Sequence, residues 1–254
     1  MKRSNNINCT DCDDFGISDF HTHILPGVDD GSRNVEESIK LLHTLYEQGA
    51  WRVVLTPHFY AGSNTPEKFF SERERALEVL LCETRKCSDD LPEICIGAEV
   101  SFFDGMSNYA NLDRFCIEGT RLLLIEMPQE RWTESVIEEL LHIVDLTGLI
   151  PVIAHVDRYI SLQKKSILER IYSEDILIQV NADAFLDRKI KKRMIKLLMQ
   201  GNADILGSDC HRVDWREPKI GEAFRVIEDK LGMDAVLELN RFGEYILKEA
   251  KRFK

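Results

Sequence analysis

Seven short apolar runs alternating with longer helical stretches constrain the fold of this chain more than any other feature. The runs are "GISDFHTH" (16–23), "WRVVLTPH" (51–58), "EICIGAEV" (93–100), "RLLLIEMP" (121–128), "IPVIAH" (150–155), "ILIQVNA" (176–182) and "ADILGSDCH" (203–211). Most are apolar at successive positions rather than alternate ones, which is the pattern of strands buried on both faces of a parallel sheet. Helical periodicity runs over 34–48, 66–87, 133–147, 162–172, 188–200 and 221–231, with a last helix near 243–251. The first helix opens on Asn34-x-x-Glu37, a capping box, and stops at Gly49. Its Val35, Ile39, Leu42, Leu45 and Tyr46 share one face. Strands alternating with helices predict an α/β fold with a parallel sheet, either a barrel or an open sheet. At 254 residues the chain fits one domain of that kind. We expect it to span 17–254, preceded by a polar extension over 1–16.

A formal net charge of −11 disfavours polyanionic partners, so no nucleic-acid binding is expected. The basic run "RKIKKRMIK" (188–196) reads as the wet side of a helix whose buried side is Ile190, Met194, Leu197 and Leu198. No apolar run is long enough to enter and cross a bilayer. The seven cysteines are odd in number and scattered, and no signal peptide precedes them; reduced thiols in the cytoplasm are expected. Cys9-x-x-Cys12 lacks the second pair that a structural zinc site needs.

The strand ends carry the chemistry. The first run ends in His21-x-His23, the second in His58, the third near Glu99, the fourth near Glu126, the fifth in His155 and the last in Asp209-x-His211. Five of the seven histidines sit there, whereas His43 and His142 lie inside helices. One such residue is ordinarily just a satisfied polar group, but ligand types at six of seven ends are not what packing alone produces. Parallel strands bring all these ends to one side. Within each pair, positions i and i+2 share a face, which turns Cys210 away. A glutamate in "LLLIEMP" is costly unless paired. Imidazole and carboxylate without thiolate suits Mn²⁺, Fe²⁺ or Zn²⁺, and Asp29-Asp30 adds oxygen in the following loop. So many donors predict more than one ion, an arrangement used in phosphoester hydrolysis. Arg158 and Arg216 are placed to clamp phosphoryl oxygens. A cysteine-phosphatase loop is excluded, because Cys210 and Arg216 are separated by "HRVDW", which has no glycine.

Together, "DFHTHILPGVDDGS", "TPHF", "GAEV", "IEMP", "AHVDRY" and "GSDCH" resemble the polymerase and histidinol phosphatase (PHP) superfamily. Within it they most resemble the bacterial manganese-dependent tyrosine-protein phosphatases of capsular-polysaccharide loci. The likeness runs from about residue 17 into the C-terminal region and leaves 1–16 unexplained. It implies a distorted (β/α)7 TIM-like barrel and three Mn²⁺ ions, with Fe or Zn as substitutes. The implied ligands are His21, His23, Asp30, His58, Glu99, Glu126, His155, Asp209 and His211, with Glu99 bridging. Spacing alone favours Asp30 over Asp29. The implied phosphate contacts are Arg158 and Arg216. The leaving tyrosinate, with a parent pKa near ~10, needs less acid assistance than an alkyl alcohol, and a metal or a site histidine such as His58 suffices. The implied substrate is phosphotyrosine on a cognate capsule-system kinase. The alternatives are a small-molecule phosphatase such as histidinol phosphatase, a phosphodiesterase or exonuclease, and a non-catalytic metal-binding module.

Overall fold

The β-strands form because branched apolar residues fill both faces of a parallel sheet. The structure, a computed structural model, describes residues 16–249. Cys9, Cys12 and all of the expected extension except Gly16 lie outside the described residues. The strands are β1 (Ile17–Thr22), β2 (Ala50–Leu55), β3 (His58–Phe59), β4 (Glu93–Ile96), β5 (Glu99–Ser101), β6 (Leu122–Glu126), β7 (Ile150–Ile153), β8 (Leu177–Asn181) and β9 (Ile205–Gly207). Every pairing between them is parallel, in the orders β1-β2-β4 and β3-β5-β6-β7-β8-β9.

Two of the predicted strands are interrupted. The run over 51–58 breaks at Thr56-Pro57, where proline has no N–H for the ladder. Its neighbour over 93–100 breaks at Gly97-Ala98. Hydrogen bonds still cross the gap, from Gly97 N to Leu55 O (2.8 Å) and from Glu99 N to Pro57 O (3.1 Å). At the far end, Asp209 N donates to His21 O and His23 N to Cys210 O, each at 2.8 Å, and Thr22 bridges Cys210 in parallel. The result is one curled parallel sheet.

Seven α-helices are present among the described residues: α1 (Val35–Glu47), α2 (Pro66–Thr84), α3 (Glu134–Thr147), α4 (Lys165–Ser173), α5 (Lys191–Met199), α6 (Ile220–Leu231) and α7 (Met233–Glu249). The capping box at α1 is only half formed. The Asn34 side chain accepts from Glu37 N (3.0 Å), but the Glu37 carboxylate turns to Arg33, accepting from its N and Nε at 2.9 and 3.0 Å. Leu41, Leu42 and Leu45 are the buried leucines of α1, whereas Val35, Ile39 and Tyr46 of the expected face are only partly buried. Helix α7 starts ten residues before the expected position. Gly243 does not begin it but sits inside it, where a Cβ would lie 3.1 Å from the Phe20 ring.

The core has two parts. The larger lies between sheet and helices. The smaller gathers Phe20, Val54, Leu122, Leu124, Val152, Leu177 and Ile205 from the strands with Ile246 and Leu247 of α7. Arg52 of β2, itself buried, pairs with Glu244 of α7 and with Glu93 (Nε to Oε2, 3.0 Å), fixing that helix to the strands.

Candidate metal centre

The polar residues predicted at the strand ends all arrive at one place. Parallel register sets His58 beside Glu99 and Ser101 beside Glu126. His21 lies within β1, and His23, His155, Asp209 and His211 follow the ends of β1, β7 and β9. Ligand-type atoms fall into four groups, each within 4.8 Å: His23, Asp30, His58 and His211; His21, His23 and Asp209; His21, Glu99 and His155; His58, Glu99 and Glu126. Adjacent groups share His23, His21, Glu99 and His58, so the four form a closed ring containing every one of the nine expected ligands.

The fine geometry favours donors aimed inward. His23 Nδ1 lies 2.7 Å from Asp29 Oδ2, and His211 Nδ1 donates to Asp209 O at 2.9 Å. When neutral, each leaves its Nε2 unprotonated on the cluster side, where the His21 and His23 Nε2 atoms are 3.1 Å apart and His211 Nε2 accepts from Arg216 Nη1 at 3.0 Å. Glu99 Oε2 lies 2.9 Å from His58 Nδ1, 3.3 Å from His21 Nε2 and 3.4 Å from His23 Nε2. Yet Glu99 Oε2, His58 Nδ1 and His155 Nδ1 are buried atoms without an aligned hydrogen-bond partner. Orphaned lone pairs crowded at such distances are expensive unless a cation accepts them. The residues therefore fit a cluster of divalent metal ions.

Electrostatics are divided: against burial, Glu99 and Asp209 raise His21, and Asp29, Asp209 and Glu99 raise His23, so a cation binding these two imidazoles would displace protons. Burial alone would push the Glu99 carboxyl up, but the neighbouring imidazoles of His21, His155 and His23 hold it well below the usual range. Asp209 behaves in the same way, against His21, His23 and His155. Glu126 is pushed up by burial and by the Glu99 charge, a like-charge conflict that a shared cation relieves. Burial lowers His155, and burial, His23 and Arg216 lower His211 to about 3, so both imidazoles are neutral, as ligands must be. Backbone strain concentrates here too: His155, Asp209 and Arg216 have φ of 31°, 52° and 56°.

Asp209 divides its two oxygens. Oδ1 lies 3.4 Å from His23 Nε2, while Oδ2 accepts from Arg158, from Arg216 and from Asn181 Nδ2 (2.9 Å). Both guanidinium side chains are about 30% exposed at the edge of the cluster. Asp30 is the exposed carboxylate of its pair, 3.5 Å from His211 Nε2 and 3.6 Å from His58 Nε2. Asp29 instead supports His23 and accepts from His58 N at 3.0 Å. Cys210 is buried in the apolar core, where burial raises its thiol pKa.

Residues 17–243 match the model of the family described as capsular polysaccharide synthesis, CpsB/CapC. The chain belongs to this family. It is 30% identical over 233 residues to the tyrosine-protein phosphatase CpsB of Streptococcus agalactiae serotype III (strain NEM316), covering 87% of this chain and 93% of that one. The tyrosine-protein phosphatase CpsB of Streptococcus pneumoniae is 32% identical over 237 residues, with the same coverage. YwqE of Bacillus subtilis (strain 168), also named a tyrosine-protein phosphatase, is 26% identical over 244 residues, covering 93% of each chain. A solved chain from work describing YwqE and S. pneumoniae CpsB as unique metal-dependent tyrosine phosphatases superposes with a TM-score of 0.79. It covers 91% of this chain and 94% of that one at 23% identity, a likeness of fold.

In this CpsB/CapC chain β8 lies in the one of the seven predicted runs that has no ligand type at its end, yet it contributes to the site. Gln179 Oε1 accepts from His155 N at 2.6 Å and lies 3.2 Å from His21 Nδ1, and Gln179 Nε2 donates to Asn181 Oδ1 at 3.0 Å. Asn181 in turn holds Asp209. Sequence reading passed over both residues. The signal was there: two amides at i and i+2 in the otherwise apolar "ILIQVNA", on one face of a buried strand.

Proposed function

We propose that this chain is a metal-dependent phosphomonoesterase acting on protein phosphotyrosine, with a tyrosine kinase of a capsule or exopolysaccharide system as its substrate. The observation carrying the reading is the closed ring of nine donor side chains with two arginines at its edge. His21, His23, Asp30, His58, Glu99, Glu126, His155, Asp209 and His211 would hold the ions, three of them and manganese by preference, with Glu99 shared. Bound divalent cations supply a water that ionises near neutral pH and offset charge on phosphoryl oxygens.

The remaining chemistry belongs to the chain. Arg158 and Arg216 orient the phosphoryl group by bidentate hydrogen bonds and stabilise its equatorial oxygens as charge shifts. Asp209 Oδ2 aims both guanidiniums inward. His58 has the most exposed side chain of the five histidines, 14% against 0–1%, so it is the one open to an incoming substrate, and we assign it the assistance to the leaving oxygen. Asp29, Gln179 and Asn181 hold the ligands' orientation.

We further read the curled sheet as a distorted seven-stranded barrel over 17–254, on the support of the two bridged strand interruptions and the hydrogen bonds between the ends of β1 and β9. A cytoplasmic location is supported by the reduced thiols of Cys82, Cys87, Cys116 and Cys210, and no helix among the described residues is long and apolar enough to cross a membrane. The test is turnover of a phosphotyrosine peptide, a phosphoserine peptide and histidinol phosphate, with and without Mn²⁺. Manganese-dependent preference for phosphotyrosine is expected; preference for histidinol phosphate would replace the reading.

A further inference from the structure

Two exposed aromatic side chains are seated on the rim of the metal centre. Tyr60, two residues beyond His58, stacks on that imidazole with centroids 5.2 Å apart and planes inclined by 29°. Trp215, four residues beyond His211, meets the His211 ring edge-on at 5.0 Å and 78°. His58 and His211 belong to one ligand group, so the two rings flank the same group from two loops. They are 43% and 44% exposed. A single exposed aromatic is ordinary; two of them packed on imidazoles of one ligand group are an arrangement.

Trp215 is also held in place. Arg212 N donates to Trp215 O at 3.0 Å, and the Arg212 and Arg216 guanidiniums lie 5.0 and 5.5 Å from its ring centroid. His211 N donates to Arg216 O at 3.0 Å, closing a tight turn. The left-handed φ of Arg216 sends its side chain to Asp209, next to a tryptophan facing solvent. Trp215 and Arg216 together wall a cavity of about 290 Å³ that reaches Asn181 and Ser208, beside Asp209. A phosphoryl group gripped by Arg216 therefore has its ester substituent within reach of an indole face.

We propose that Trp215 and Tyr60 are specificity residues that grip the aromatic ring of an aryl phosphate, so that the centre selects tyrosine phosphate over alkyl phosphates by stacking. This rests on the phosphatase reading above. An aromatic ring bonded directly to the phosphate oxygen is held close to the rim, where an offset or edge-on contact with indole or phenol is favourable. A phosphoserine side chain offers nothing to either ring.

The experiment compares kcat/KM for a phosphotyrosine peptide and a phosphoserine peptide in the manganese-loaded wild type, Tyr60→Ala, Trp215→Ala and Trp215→Phe. Metal content is checked in each variant by elemental analysis. Calorimetric titration with phenylphosphonate and methylphosphonate gives a second readout that is independent of turnover. Either alanine variant is expected to lose up to ~10-fold on the aryl substrate and on phenylphosphonate affinity. Change on the alkyl compounds should stay under about twofold, and Trp215→Phe should keep most of the aryl preference. Equal losses on both substrate classes, or no loss on either, would overturn the clamp while leaving a phosphotyrosine-selective wild type intact. A wild type that does not turn over phosphotyrosine would remove the phosphatase reading, and the clamp with it.

Discussion

Gln179 supplies no ligand atom, yet its removal tests how the centre is held. Its side chain is fully buried, accepts from His155 N, faces His21 Nδ1 and donates to Asn181 Oδ1. Gln179→Leu keeps the bulk and deletes all three contacts. The buried His155 N–H and Asn181 Oδ1 then lack partners, at roughly 1–3 kcal/mol each, so the metal-free protein should lose about 2–6 kcal/mol. In a chain of this length that lowers Tm by roughly 4–24 °C. A second loss is specific to the metal. The acceptor at His21 Nδ1 fixes the tautomer that leaves Nε2 free for a cation, and partners of this kind are worth ~10–100-fold in affinity. Gln179→Glu retains that acceptor and should hold manganese within a few-fold of wild type, although it gives up the donor to Asn181. Thermal unfolding in chelator measures the first effect, and Mn²⁺ titration calorimetry with elemental analysis measures the second. If Gln179→Leu is destabilised but binds manganese like the wild type, the residue only packs, and the tautomer argument fails.

Other outcomes follow from the same geometry. Removing metal with a chelator should abolish turnover and lower Tm, by the equivalent of ~2.7 kcal/mol if the ion had been present at a hundred times its Kd, with both restored by Mn²⁺. Arg158→Ala, which deletes a charge-assisted partner of Asp209 and a phosphate clamp, should cost roughly 100-fold in kcat/KM with metal content unchanged; an unchanged kcat/KM would remove Arg158 from the reaction. Gly31→Ala should fold poorly or fail to load metal, because a Cβ there would sit 1.9 Å from His23 O; normal metal content would show that the loop yields. The Arg33 hydrogen bonds lower the Glu37 carboxyl to about 2. Its contribution to stability is therefore complete above the unfolded value near ~4.5 and is lost as pH falls toward 2, so the stability gap between wild type and Glu37→Gln should close over that window.

The sheet was legible because parallel strands buried on both faces must be continuously apolar, and "RLLLIEMP" or "IPVIAH" has no other economical reading. The candidate ligands were legible because a buried imidazole or carboxylate at a strand end has no apolar excuse: His21, Glu99 and Asp209 are at most 2% exposed and stand where water cannot satisfy them. Boundaries were harder. Pro57 interrupts a strand that hydropathy runs straight through, and Gly243 looks like a terminus when it is a contact with Phe20. The supporting residues were hardest. Gln179 and Asn181 differ from ordinary strand polars only in what they touch, and Asp29 differs from Asp30 only in which way the loop turns its carboxylate. Spacing ranks Asp30 ahead of Asp29 but carries no physical reason for the choice. Burial separates them, with Asp29 beneath His23 and Asp30 at the mouth.

The features that make the centre competent are also those that oppose folding without metal. Nine polar or charged side chains converge, several buried atoms among them have no aligned partner, and three non-glycine residues of the centre sit in the left-handed region at a cost of roughly 1–3 kcal/mol each. Such a cluster persists only if the surrounding packing over-determines it. The two apolar clusters supply that support from both faces of the sheet, with α7 fixed to β2 through Arg52 and Glu244 at a point away from the ligands. The chain is therefore built as a rigid frame around a locally unfavourable site. Metal binding relieves strain at the site instead of organising the fold, so loading should raise stability without changing which strands pair.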